Sequence, residues 1–154
     1  MTQYDFQASI GYWITVTSFG YQRVLEAELA EFGITFRQFQ VLGWLKFEGE
    51  LSQVELAERM TIEPPTLVRI LDRMEAAGWI CRSNDPLDRR RKLISVQAEA
   101  EDAWSQVVRV LKRVRKRATK DMADAEIDQL QKLLQRVQAN LGMELAVATQ
   151  AASS

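Results

Sequence analysis

The sequence contains no histidine. That removes the commonest metal ligand and the commonest general base. There is a single cysteine, Cys81, so a zinc site of the usual Cys/His kind cannot be built. One cysteine also excludes an internal disulfide, which fits a reducing cytoplasm. No apolar run approaches the roughly 18 residues that a membrane span needs. The opening MTQYDFQAS has no basic leader ahead of an apolar block, so neither a secretory signal nor a membrane is expected. Proline and glycine are scarce, 3 and 7 in 154 residues, which points to a mostly helical chain. Neither charge sign dominates, with 20 basic and 21 acidic residues. No glycine-rich phosphate loop is present, and no motif pairs carboxylates for acid–base work. An enzyme is therefore set aside, and no catalytic residue, metal or cofactor is expected.

What the chain does have is helical periodicity interrupted by a few readable stops. At 154 residues it is expected to form one domain with a sizeable core. Across residues 5–32, Phe6, Ile10, Trp13, Val16, Val24, Leu25 and Leu29 recur at three- and four-residue steps, one face of a helix that Gly33 ends. Thr35 is placed to cap a second helix with Phe36, Phe39, Leu42 and Leu45 inward. After Gly49, Ser52 and Glu55 form the two halves of a capping box, opening a short helix with Leu56, Ala57 and Met60 on its apolar side. Pro64 and Pro65 then fit only a first helical turn. Between them and Gly78, Leu67, Ile70, Leu71 and Met74 fall within an arc of about a third of the helical circle. Pro65, Val68, Arg69 and Asp72 fall opposite, with Thr66 and Arg73 at the border. This helix has one side to bury and one to present, and Arg69 lies in the middle of the presented side.

Residues 79–82 and 92–96 look like two short strands, with turn chemistry at Asn84, Asp85 and Pro86 between them. The connection, 83–91, is longer than a tight hairpin requires, and it ends in Arg89, Arg90 and Arg91, with Lys92 opening the second strand. A long basic connection is a candidate functional loop. Two more helical stretches follow. Trp104, Val107, Leu111, Val114 and Ala118 step by three and four, as do Ile127, Leu130, Leu134, Val137 and Leu141. Such seams suit packing of helix on helix. A second basic run, 109–120, lies mostly opposite the first seam and reads as a solvated face. The end of the chain, 146–154, is small and polar and is expected to fray.

The expected fold is therefore mainly α with a small β-wing. A winged helix-turn-helix, about 35–97, is flanked by helices at about 5–32 and 98–145. A major groove about 12 Å wide admits one helix, whose first residues reach base edges. Thr66 and Arg69 stand where such contacts are made, with Pro65, Val68 and Arg73 beside them, and Ser52 and Gln53, which open the preceding helix, are expected to contact DNA as well. The wing arginines suit phosphates or a narrow minor groove. Concentrated charge in a balanced chain then follows from a concentrated phosphate contact. Against this stand a solvated-turn reading of the arginine run, and a winged helix that binds protein instead of DNA, since fold alone does not fix function. Trp13, Phe19, Phe39 and Trp44 are either plain core or the lining of an effector pocket. Cys81 reads as a small, half-buried strand residue.

The stretches GITFRQFQVLGWL, LSQVELAERMTIEPPTLVRILDRMEAAGWICR and DPLDRRRKLISV resemble the MarR family of winged-helix transcriptional regulators, and IEPPTLVRILDRMEAAGWI is most similar to its SlyA-like branch. The resemblance runs over nearly the whole chain. It implies a homodimer held by the flanking helices, and a pseudo-palindromic double-stranded operator with half-sites about one turn apart. It maps the wing motif onto Asp88, Arg89 and Arg90, with Arg90 entering the minor groove and Asp88 bracing the loop. The family's Leu-Thr after the second wing strand is replaced here by Val96 and Gln97, so the threonine cap of the next helix is lost. Salicylate-type anions are met in the family by a basic or histidine group between the first two helices. The facing positions here are Phe19, Phe39 and Gly43, so a small aromatic or apolar effector, or none, is the better match.

Overall fold

The computed structural model describes residues 5–143. The expected frayed segment 146–154 lies outside the described residues, as does the end of the expected C-terminal helical span. The chain divides into two compact units, Met1–Val114 and Arg115–Ser154.

In the first unit, α1 (Ile10–Ala30) leads through Gly33 to α2 (Phe36–Glu48). Thr35 caps α2: its hydroxyl accepts the Gln38 N–H at 3.2 Å, and the Gln38 side chain accepts the Thr35 N–H at 2.9 Å. A two-residue strand, β1 (Leu51–Ser52), runs directly into α3 (Gln53–Met60). Then come α4 (Pro64–Ala76), β2 (Ile80–Asn84) and β3 (Lys92–Val96). The sheet has the order β1-β3-β2, with both pairings antiparallel. A single 3₁₀ turn, Ala98–Ala100, leads into α5 (Glu101–Ala118), which continues into the second unit. Strand β2 begins at Ile80, one residue later than the sequence suggests, and runs two residues further into the turn. Strand β1 was not expected, because two residues carry no periodicity to read.

Two apolar clusters hold this unit. One joins Leu42 and Leu45 of α2, Leu56 of α3, Leu67, Leu71 and Met74 of α4, Ile80 and Ile94. The other joins Leu25 and Leu29 of α1, Ile34, and Val107, Val110 and Val114 of α5. Trp79 and Trp104 pack against both. Burial of a leucine-sized side chain is worth about 1.5–3 kcal/mol, so these clusters supply the main drive for folding. Polar pairs fix orientation on top of it. Arg59 grips Glu48 with its Nε and Nη2, each 3.0 Å from a carboxylate oxygen, tying α3 to the end of α2.

Helix α1 is shorter than its sequence pattern suggests, and its apolar face is buried only at the C-terminal end. Leu25 and Leu29 are buried, whereas Ile10, Trp13 and Val16 are exposed. In the second unit, α6 (Asp124–Asn140) begins where the Glu126 side chain accepts the Ala123 N–H at 2.8 Å. None of its residues is buried: Leu130, Leu133, Leu134 and the following Leu141 are exposed.

Candidate nucleic-acid interface

The presented side of α4 arises from its own sequence. Pro64 and Pro65 occupy the first two helical positions, where their missing N–H groups cost nothing. One face then buries Leu67, Leu71 and Met74 and half-buries Ile70. Pro65, Thr66, Val68, Arg69 and Arg73 are left exposed along the other. Among the described residues, Arg69 and Arg73 form no ion pair. Their guanidinium groups therefore remain available to phosphates or base edges.

A residue that sequence reasoning missed orients this helix. Arg82, on β2, places its Nη2 2.7 Å from Asp72 Oδ1 and its Nη1 2.8 Å from Glu75 Oε2. Its backbone N–H donates to Glu75 Oε1 at 3.0 Å, and Nη2 also reaches the Val68 carbonyl at 3.3 Å. One side chain thus ties the first wing strand to three residues of α4 and offsets part of the charge of its two acids. The available signal was Asp72 and Glu75, two acids three apart on one helix, followed by a lone strand arginine.

The wing is a loop closed at its base. The Asp85 N–H donates to the Arg91 carbonyl at 3.0 Å, and Lys92 Nζ reaches Asn84 Oδ1 at 2.6 Å. Within it, Asp88 Oδ1 accepts the Arg90 N–H at 3.0 Å and lies 3.3 Å from Arg90 Nε. The Arg90 side chain is still 92% exposed. Arg89 is also exposed and, among the described residues, forms no ion pair. Leu87, 96% exposed, stands at the tip between Asp85 and the arginines.

Two expected contact residues are placed otherwise. Ser52 is 1% exposed, and its hydroxyl accepts the Glu55 N–H at 3.2 Å as the N-cap of α3. That side chain is a structural cap and has no surface to offer DNA; Gln53, next to it, is half-buried. Arg91, its side chain 46% exposed, pairs with Glu55 and Asp85. Of the four aromatic residues weighed for an effector pocket, Trp44 packs against the first apolar cluster, and the other three differ in their surroundings. Phe39 packs against the α1–α5 cluster and meets Phe36 at 5.6 Å between ring centroids, whereas Trp13 and Phe19 are exposed on α1. An open depression of about 550 Å³ does lie at the α1–α2 junction, but its lining includes Gln22, Glu26, Thr35 and Arg37 and none of the three. Cys81 is half-buried, with its Sγ 3.0 Å from Gln97 Nε2.

Among the described residues no group of acidic or cysteine side chains could hold a metal ion, and no helix is long and apolar enough to cross a membrane. Residues 34–92 match the model of the MarR family, whose members are transcriptional regulators, not enzymes. The fold is that of solved proteins of this kind. Apo wild-type MarR from E. coli is 25% identical, covers 88% of this chain and 98% of its own, and superposes with a TM-score of 0.76. A point mutant of the same E. coli protein, solved in complex with operator DNA, is likewise 25% identical; the match covers 89% of this chain and 99% of its own, with a TM-score of 0.74. BpsR of Bordetella bronchiseptica, whose DNA binding is regulated by 6-hydroxynicotinic acid, has the same fold at 20% identity, covering 89% of this chain and 98% of its own, with a TM-score of 0.74. The presented helix and the arginine wing thus both lie within the stretch that resembles the MarR family, and over most of the chain the fold is that of E. coli MarR.

Proposed function

We propose that this chain binds double-stranded DNA sequence-specifically as a homodimer and regulates transcription from a pseudo-palindromic operator. The observation that carries the reading is the pairing of an exposed α4 face bearing Arg69 and Arg73 with a wing bearing exposed Arg89 and Arg90. Thr66 and Arg69 read bases in the major groove, Pro65, Val68 and Arg73 lie along its edge, and Arg90 enters the adjacent minor groove. Asp88 holds the Arg90 backbone in place for that entry. The whole chain acts as one MarR-type domain of the SlyA-like branch, working in the cytoplasm. Its lobe at about 35–97 touches DNA, and its flanking helices pair with a second copy. Two lobes then meet half-sites roughly 34–36 Å apart. A small aromatic or apolar effector contacting Trp13, Phe19 and Phe39 would change that spacing and release the DNA, making the protein a repressor that can be relieved. The second copy supplies a wall of this site, since Trp13 and Phe19 are exposed in the single chain.

The test is fluorescence anisotropy of the purified protein on DNA from upstream of its own gene, against a random duplex of equal length, across a salt series. Tighter binding to the upstream DNA, with two chains per site, is the expected result. A log–log salt slope of about −0.9 per phosphate contact then counts the contacts. Failure to bind either duplex at low salt would overturn the proposal in favour of a winged helix that binds protein.

A further inference from the structure

The four consecutive basic residues of the wing do not share one environment. Arg91 Nη2 lies 3.2 Å from Glu55 Oε2, and its Nε lies 3.7 Å from Asp85 Oδ2. Both carboxylates are themselves held. Glu55 sits at the third position of α3, where its Oε2 accepts the Ser52 N–H at 2.8 Å. Asp85 is only 6% exposed, and its Oδ1 accepts the Leu87 N–H at 2.8 Å. The Arg91 backbone is fixed as well, its N–H donating to the Asp88 carbonyl at 2.9 Å and its carbonyl accepting from Asp85. Strand β1 explains why these groups meet: Ser52 pairs with Leu93, two residues beyond Arg91. The start of α3 is thereby laid against the root of the wing.

One positive charge between two negative ones is a poor phosphate site, because the local sum is negative and a phosphate would have to displace a carboxylate. We propose that Arg91 is a positioning residue, a clamp between the wing root and the N-terminus of α3 through Asp85 and Glu55, and that DNA is contacted by its neighbours instead. The clamp fixes the wing relative to the helix-turn-helix before DNA arrives. Ordering that would otherwise oppose binding is then already complete in the free protein. This inference rests on the DNA-binding reading above, but it also makes a claim about the free protein.

Two variants isolate it. Arg91→Gln removes the cation. Glu55→Gln removes the anion while leaving an amide oxygen that can still accept the Ser52 N–H, so the capping box survives. Each single variant is expected to weaken operator binding by roughly tenfold, the scale of one coupled pair. The salt slope should be unchanged, and the double variant should be no weaker than either single one. Arg91→Lys should recover part of the loss. A salt slope shallower by about 0.9 in Arg91→Gln, with Glu55→Gln binding as well as or better than wild type, would show a phosphate contact and overturn the clamp. Hydrogen exchange of the free protein is the second measurement. Protection of the Asp85 amide should fall in both single variants, and unaltered protection would overturn the clamp whether or not any duplex binds. Loss of DNA binding by the wild type, with the exchange result intact, would instead sink the DNA-binding reading alone.

Discussion

Arg90 and Arg91 are adjacent in the chain and opposite in environment. Arg90 holds one exposed carboxylate with an almost fully exposed side chain, while Arg91 lies between two carboxylates, one of them buried. Charge counting along a sequence cannot separate them, because the difference is made by Glu55, on a helix far back in the chain, and by the burial of Asp85. The same contrast separates two kinds of DNA contact. Removing a phosphate contact lowers affinity for all sequences and flattens the salt dependence, whereas removing a base contact relaxes discrimination at one position. Arg90, proposed to enter the minor groove, carries its charge close to the phosphates of both strands, so Arg90→Ala should also make the salt slope shallower, by about 0.9. Arg69→Ala should weaken operator binding by about 1–3 kcal/mol and narrow the gap to a random duplex. Anisotropy on the two duplexes across the same salt series checks both, and an Arg90→Ala variant with wild-type affinity and slope would remove the wing from the interface.

At the scale of elements, the start of α3 links stability to pH. The Glu55 carboxyl is held below the usual carboxylate range, first by the Ser52 hydroxyl, then by the Ser52 backbone N–H, with Arg91 adding to the effect against the cost of burial. A depressed folded value favours the folded state wherever the unfolded carboxyl is ionised, and the advantage is lost as pH falls through the folded value. The difference in urea midpoint between wild type and Glu55→Gln should thus be largest near neutrality. It should hold down to about pH 4.5, then shrink at lower pH. A difference independent of pH would mean that the Glu55 charge does not carry the effect. Much of this element was legible. Capping boxes are local, so Ser52 with Glu55, Thr35, and the proline start of α4 could be read from residues three or four apart. The two faces of α4 followed from periodicity. What was not legible is what distant residues complete. Strand β1 exists because β3 lies beside it, and Arg82 orients α4 because β2 runs past it. The N-terminal half of α1 carries a helical apolar pattern, yet among the described residues Ile10, Trp13 and Val16 stay exposed, because a pattern specifies a face and not its partner.

For the whole molecule, that uncovered surface is the main physical fact. Ile10, Trp13, Val16 and Phe19 are exposed on α1 in the first unit, and Leu130, Leu133, Leu134 and Leu141 are exposed on or just after α6 in the second. Scattered exposed leucines need no explanation, but repeated ones at helical spacing on both flanking segments do. Leaving a single large apolar side chain in water forgoes about 1.5–3 kcal/mol, so each stripe favours a cover. A second copy of this chain is the cover we propose, since it would also bring two α4 helices to one duplex. Leu134→Glu places a charge in the middle of the α6 stripe, where desolvating it on association is costly. It should shift sedimentation from dimer to monomer while the α4 core, on the other unit, keeps its helical circular dichroism. A monomer engages one half-site at a time and loses the effective concentration that the second lobe supplies, so operator affinity should fall by roughly 100-fold or more. Binding to a duplex carrying a single half-site should change far less. If Leu134→Glu sediments as a dimer and binds the full operator as the wild type does, the α6 stripe is not the interface, and the two half-sites must be joined through another surface.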